Sequence, residues 1–321
     1  MNCLYFREAS LDDLLKVVFE EFLNKDYPLI EATKGNSYEI FGVLLELTNP
    51  RARLSRSELK GTPYSCIGEL AWYLSGSNKL SDISYYLPRY KESSDDGNFV
   101  HGGYGPRLLD MCGEHNQIEN IVKLLKNRPS SRRAVIQLFK ASDLTQDYKD
   151  IPCTTNIQFI LRADRLDMMV NMRSNDVYFG LPHDVFCFTM IQELMACRLG
   201  AEVGVYKHAV GSLHLYADRI NDAKCYVGEG WQRQLSMPKM GSNNIDVQTN
   251  NFIEKEQQIK NGTKYENIDF IAEPYWNDIL ILLEAFRIKN TKDAASLNGL
   301  KESLQNDIYK VYLDKFIDKI N

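Results

Sequence analysis

The first strong pattern along the chain is helical. Ser10 precedes Leu11-Asp12-Asp13, a polar cap followed by acids in a first turn. Leu11, Leu14, Leu15, Val18, Phe19 and Phe22 then recur at the spacing of one helix face, which predicts an amphipathic helix packed on a core. Residues 38–47 are largely apolar and predict a buried strand, broken by Asn49-Pro50. Residues 64–74 predict a buried helix with Glu69 in its middle. A carboxylate is costly there unless partnered, so Glu69 is either an acid–base group or a residue turned to solvent. Residues 93–98 predict a polar loop, and 101–107 are too glycine-rich for regular structure. A helix over 119–126 ends at Pro129-Ser130-Ser131, and Arg132-Arg133 open a strand over 134–139. Residues 156–161 and 166–172 pair as a hairpin around Ala163-Asp164-Arg165. A long apolar helix over 181–199, a strand over 202–213 and a helix over 214–227 follow. Past Gly228 the pattern loosens into loops near 241–244 and 260–262, then two helices over 274–288 and 297–320.

Composition adds constraints. The 321 residues are 44% hydrophobic and 25% charged, an ordinary soluble profile with ample length for a core. A net charge of -5 gives no ground for binding a nucleic acid polymer. The start of the chain does not read as a signal peptide, and no apolar run approaches the ~18–20 residues of a membrane span. Seven cysteines, with no Cys-x-x-Cys, point away from a disulfide framework or zinc site and toward reduced thiols in the cytoplasm. No metal is expected.

Candidate chemistry gathers between Asp150 and Tyr216. Cys153 follows Pro152, and a lone cysteine is most often a small buried hydrophobe. Arg132, Arg133 and Arg173 flank it in sequence, and cations favour a reactive thiolate. Arg51, Arg53, Arg56 and Lys60 form a second run of cations, a solvated face or a loop that meets an anion.

Taken together these residues resemble the thymidylate synthase family. The likeness rests on Pro152-Cys153 with Gln158-Phe159, on Arg173-Ser174 with Asp176, on Gly180-Leu181-Pro182, and on His214 with Tyr216. Upstream, Ile40-Phe41-Gly42, Glu69 through Leu74, Tyr104-Gly105 and Ser131-Arg132-Arg133 keep family order, so the resemblance covers about residues 38–220. The set is specific; any single piece is weak. It implies an α/β (α+β) fold with a large mixed sheet covered by helices. Residues 1–227 would be the catalytic domain, and 228–321 a mainly helical extension packed on it.

Within the family the chain is most similar to deoxycytidylate 5-hydroxymethylases. Met172 stands where synthases have Gln, Thr154 where they have His, and Gly211-Ser212 where they have Gly-Asp. Asp184 stands where synthases use Asn to read uracil. Cytosine offers an amino donor at position 4 and a ring nitrogen that must be protonated; a carboxylate accepts from both, an amide does not. The resemblance implies that Cys153 adds to ring carbon 6. Glu69 moves protons through water, Tyr104 assists at carbon 5, and 5,10-methylenetetrahydrofolate gives the one-carbon unit. Arg173 and Ser174 would bind the phosphate. Asp176, His214 and Tyr216 complete the nucleotide site, with Arg132 and Arg133 reaching in from the partner subunit of a homodimer. Lys34, or one of Arg51, Arg53 and Arg56, would replace the family's first-strand arginine, whose place falls near Ala32. Synthases shield the bound methylene with a tryptophan, but none lies in residues 77–100 here, which favours water over hydride. The expected reaction is hydroxymethylation of dCMP. The alternatives are CMP as substrate, thymidylate synthesis on dUMP or, least favoured, a non-catalytic nucleotide-binding module.

Overall fold

The computed structural model describes residues 4–32, 35–60, 63–265, 273–291 and 293–320. Strand β1 (Leu4–Glu8) leads into helix α1 (Leu11–Asn24), then β2 (Leu29–Ala32) and β3 (Gly35–Leu47). Helices α2 (Tyr64–Leu74), α3 (Leu80–Ser84), α4 (Tyr104–Leu109) and α5 (Gln117–Asn127) precede β4 (Val135–Gln137), β5 (Thr154–Arg162) and β6 (Arg165–Asp176). Then come α6 (Gly180–Leu199), β7 (Glu202–Tyr216), α7 (Ile220–Gly228), α8 (Ile245–Lys260), α9 (Pro274–Ile288), α10 (Ala294–Ser303) and α11 (Lys310–Ile317).

Among the described residues, seven strands form one mixed sheet in the order β1-β3-β7-β6-β5-β4, with β2 also paired to β3. The β1–β3 and β6–β7 pairs are parallel; the rest are antiparallel. One face is core. Ile157, Phe159, Met168, Val170, Tyr206 and Val210 are buried there, and α6 lies against β6 and β7. Helix α2 packs on α6, with α8 and α9 against it. The other face is open. It carries Arg7, Glu46 and Lys207 in ion pairs, an Asn156–Asn171 amide pair, and Phe41, which is 85% exposed.

The sheet bends where the site lies. Alternation along a strand puts every second residue inward, yet the buried positions step by three at Ile40/Val43, Met172/Asn175 and Val210/Leu213. These steps fall side by side, since Met172 is in register with Val210 and Val43 with Val210. Gly42 accommodates the step with φ +79, and a Cβ on Gly211 would lie 2.9 Å from the Arg173 carbonyl. Past the bend, Asn175 faces inward instead of outward.

Several expectations are corrected. Residues 214–216 do not start a helix: β7 runs on through His214 and Tyr216, because Glu39 and Ser37 of β3 pair with them, and α7 begins only at Ile220. The glycine-rich segment does hold a helix, α4. Helix α8 appears between two predicted loops; it is polar along most of its length and anchored by Ile245, Phe252 and Ile259. The predicted helix over 297–320 is two, broken where the buried Asp278 carboxylate accepts from Gln305 N, Asn306 N and Asn306 Nδ2. Strand β1, not expected from the pattern, alternates half-buried and exposed residues and pairs with β3. The run of cations is neither a solvated face nor an anion loop throughout. Arg53 is fully buried in an ion pair with Glu193, and Arg56 turns to the Ile308 carbonyl.

Candidate active site

Cys153 stands at the head of β5. Its carbonyl accepts from Arg173 N at 2.9 Å, and Arg173 Nη2 lies 3.7 Å from its Sγ. The same guanidinium donates to the carbonyls of Pro152 (3.0 Å) and Ile151 (3.2 Å), which fixes it beside the sulfur, where its charge stabilises a negative thiolate. Tyr104, from α4, accepts through its hydroxyl from Thr154 N at 3.0 Å, one residue from the thiol. Burial holds the phenol well above its ordinary value, and the charges of Asp184 and Cys153 add to this, so it stays protonated. The glycine-rich turn before Tyr104 is pressed against the Cys153 loop: a Cβ on Gly102 would lie 2.3 Å from Asp150 Oδ2.

Glu69 reaches the cleft from α2 and is buried. Its Oε1 accepts from Tyr90 at 2.6 Å and Tyr73 at 3.1 Å, while Oε2 has no partner among the described residues. Burial raises both phenols well above their ordinary range, so both act as donors. Asp184 lies near the start of α6. Burial pushes its carboxyl well above the usual range, the nearby Glu69 charge adds to this, and the Asn175 amide opposes it. Beside it, burial lowers His183, which is neutral with its ring held between Ser65 Oγ and the Phe179 carbonyl, 2.8 Å from each.

The ends of β6 and β7 bring the remaining residues to the same end of the sheet. Ser174 pairs with Ser212, and Asp176 with His214, in parallel register. The His214 and Tyr216 rings meet edge to face at 5.3 Å. Asp176 is occupied by backbone: its carboxylate accepts from Tyr178 N, Phe179 N and Gly180 N and so shapes the entry to α6. Arg132 and Arg133 are exposed before the edge strand β4, and among the described residues no hydrogen bond joins them to the other site residues. Lys34 lies outside the described residues.

Three features were not foreseen from the sequence. Tyr90 carries no local signal; its role appears only through Glu69. Asn175 sits inside a recognised motif but gains its contacts through the strand bend. Lys60, Arg89 and Arg219 all approach the Phe179 ring, with Lys60 Nζ 3.1 Å from the Tyr178 ring centroid. Burial lowers Lys60 to about 7, and the Asp176 charge partly offsets this. Aromatic faces and three cations suit an anionic molecule with a flat ring. No helix among the described residues is long and apolar enough to cross a membrane, and no cluster of His, Cys, Asp or Glu there could hold a metal.

A cysteine beside an arginine fork, with a buried acid at the same end of a bent mixed sheet, defines the class. A family profile described as thymidylate synthase matches residues 34–272, and the chain belongs to that family. Among known proteins it is 32% identical over 209 residues to a deoxyuridylate hydroxymethyltransferase of Delftia phage PhiW-14, covering 60% of this chain and 57% of that one. It is 33% identical over 195 residues to the protein of that name from Bacillus phage SP01 (56% and 50% covered). It is 27% identical over 222 residues to a thymidylate synthase of Corynebacterium aurimucosum (68% and 81% covered). The matches span about half the length of the phage relatives.

Proposed function

We propose that this protein is a deoxycytidylate 5-hydroxymethylase, working as a homodimer on dCMP. The observation that carries this reading is the buried acid Asp184 in the position that reads the base. Held above the usual carboxylate range, it starts with a proton. Neutral cytosine has an acceptor at ring nitrogen 3 and a donor at the amino group, so a carboxylic acid complements both and has a proton to give. Proton transfer to the ring nitrogen makes carbon 6 a better target for the Cys153 thiolate, with Arg173 beside the sulfur. Arg173 and Ser174 take the phosphate, and His214 and Tyr216 take the sugar. Tyr104 and the open Oε2 of Glu69 handle protons near carbon 5. Methylenetetrahydrofolate, when bound, supplies the one-carbon unit. Lys60, Arg89 and Arg219 around Phe179 fit its aromatic and carboxylate parts. The open sheet face suits a twofold partner, whose Arg132 and Arg133 would complete the phosphate site.

A second reading is hydroxymethylation of dUMP. The names of the two phage relatives favour it. A protonated Asp184 can also donate to a 4-oxo group and accept from a ring N–H. One assay separates the two: tritium release from carbon 5 of dCMP, CMP and dUMP with methylenetetrahydrofolate, followed by product mass. Preference for dCMP with a hydroxymethyl product supports the proposal; preference for dUMP replaces it. Cys153→Ser should abolish release in either case and leave nucleotide binding within a few-fold, because a serine hydroxyl is a far weaker nucleophile at neutral pH. Unchanged turnover in that variant would return Cys153 to a packing role.

A further inference from the structure

Two of the departures from family pattern, Met172 and Asp184, lie on different elements, yet one side chain joins them. Asn175 is 3% exposed, and its Nδ2 lies 2.6 Å from Asp184 Oδ2 and 2.9 Å from Met172 Sδ. The thioether fixes which way the amide points. A thioether accepts and cannot donate, so the amide nitrogen, not the oxygen, faces it. Nδ2 has two hydrogens, and these two acceptors use both. Asn175 Oδ1 is buried with no partner among the described residues. The arrangement thus keeps the nitrogen on Asp184 at the expense of the carbonyl.

That contact divides the two oxygens of Asp184. Oδ2 receives an N–H, a bond that the carbonyl oxygen of an acid accepts better than its hydroxyl oxygen does, so this contact favours Oδ2 as the carbonyl. A proton on the acid then resides on Oδ1. Charges from Glu69, Arg89 and Asp176 also reach Asp184, but none of them distinguishes one oxygen from the other by a hydrogen bond. We propose that Asn175 is the specificity-determining partner of Asp184: by holding Oδ2 as an acceptor it places the donor and acceptor of the acid in fixed order against the base. An acid with fixed order reads one pyrimidine. An acid free to exchange its proton between oxygens matches cytosine in one arrangement and uracil in the other. The inference rests on Asp184 facing the base, and it holds whichever base the wild type prefers.

The test is a double-mutant cycle on Asn175→Leu and Asp184→Ala, reading kcat/KM for dCMP and dUMP. Leucine fills a similar volume without a polar atom. Asn175→Leu should move the dCMP/dUMP ratio toward unity by about threefold to tenfold, the size of one hydrogen bond. In the Asp184→Ala background, which has no donor and acceptor to place, Asn175→Leu should leave the ratio unchanged. An equal change of ratio in both backgrounds, or no change in either, overturns the proposal; a purely structural role would lower both rates together. If Asn175→Leu fails to fold, Asn175→Ala is read the same way. If the wild type prefers dUMP, the proposed substrate fails, while the cycle still tests Asn175.

Discussion

Glu69 shows how a single carboxylate can be assigned two roles. One oxygen is occupied by two phenols, and the other has no hydrogen bond among the described residues. Tyr90→Phe removes the shorter of these bonds and loosens the carboxylate, so kcat should fall about threefold to tenfold with KM within about twofold. Steady-state kinetics on the preferred nucleotide checks this; a rise in KM alone would place Tyr90 in binding. Lys60 makes a prediction of a different kind. Its value of about 7 lies below the ordinary 10.5, so between these limits the folded state binds fewer protons than the unfolded chain. Stability therefore rises with pH across that window, and below it the cost of the buried cation is fully present. Lys60→Met should stabilise the protein by about 1–3 kcal/mol at pH 6 and by less at pH 10, measured by chemical denaturation. At this scale much was legible in the sequence. Cys153, Arg173, Ser174, His214 and Tyr216 do come together at one end of the sheet. Asp176, expected in the nucleotide site, also accepts from the backbone amides of Tyr178, Phe179 and Gly180, because its neighbours turn into a helix.

Elements were legible where burial imposes a period. The buried faces of α1, α2 and α6 and the strands of the central hairpin appear within a few residues of where the pattern puts them. Misses occurred where tertiary contacts decide. His214 and Tyr216 are compatible with a helix locally and are strand because β3 runs beside them. The break before α11 is made by Asp278, nearly thirty residues upstream, which no local rule detects. Asp278 is completely buried. Asp278→Ala would strand two backbone amides and one side-chain amide, so we expect a loss of about 2–4 kcal/mol, seen in urea unfolding. A loss under about half a kcal/mol would mean that the break is held by packing alone.

At the scale of the whole molecule, the sheet has one covered face and one open face. Phe41, 85% exposed on the open face, lies one residue before the bend. If that face joins two copies, Phe41→Glu should shift the protein toward monomer in sedimentation velocity and lower activity at least tenfold, since a buried charge at an interface centre is strongly unfavourable. Mixing Cys153→Ser subunits with Arg132→Ala subunits should restore part of the activity; no recovery would mean that each site uses only its own chain. Neither arginine has a hydrogen-bonding partner for its guanidinium among the described residues, and periodicity carries no signal for such contacts.

Residues near the far end of the described chain also hold the segment leading to Glu69. The Tyr64 hydroxyl donates to the Tyr312 carbonyl at 2.7 Å, the Tyr312 hydroxyl to the Ser55 carbonyl at 2.9 Å, and Lys315 Nζ to the Ser57 carbonyl at 2.8 Å. Phe316 stacks on Tyr64 with ring centroids 4.8 Å apart. A ribosome reads these residues some 250 codons after Ser55 and Ser57. While the chain is still being made, the start of α2 has no such brace, so catalytic competence should arrive late in translation rather than with the sheet. Nascent chains arrested before Tyr312 emerges would then bind nucleotide weakly even though Cys153 and Arg173 are already outside the tunnel; full binding at that stage would show that the brace is dispensable.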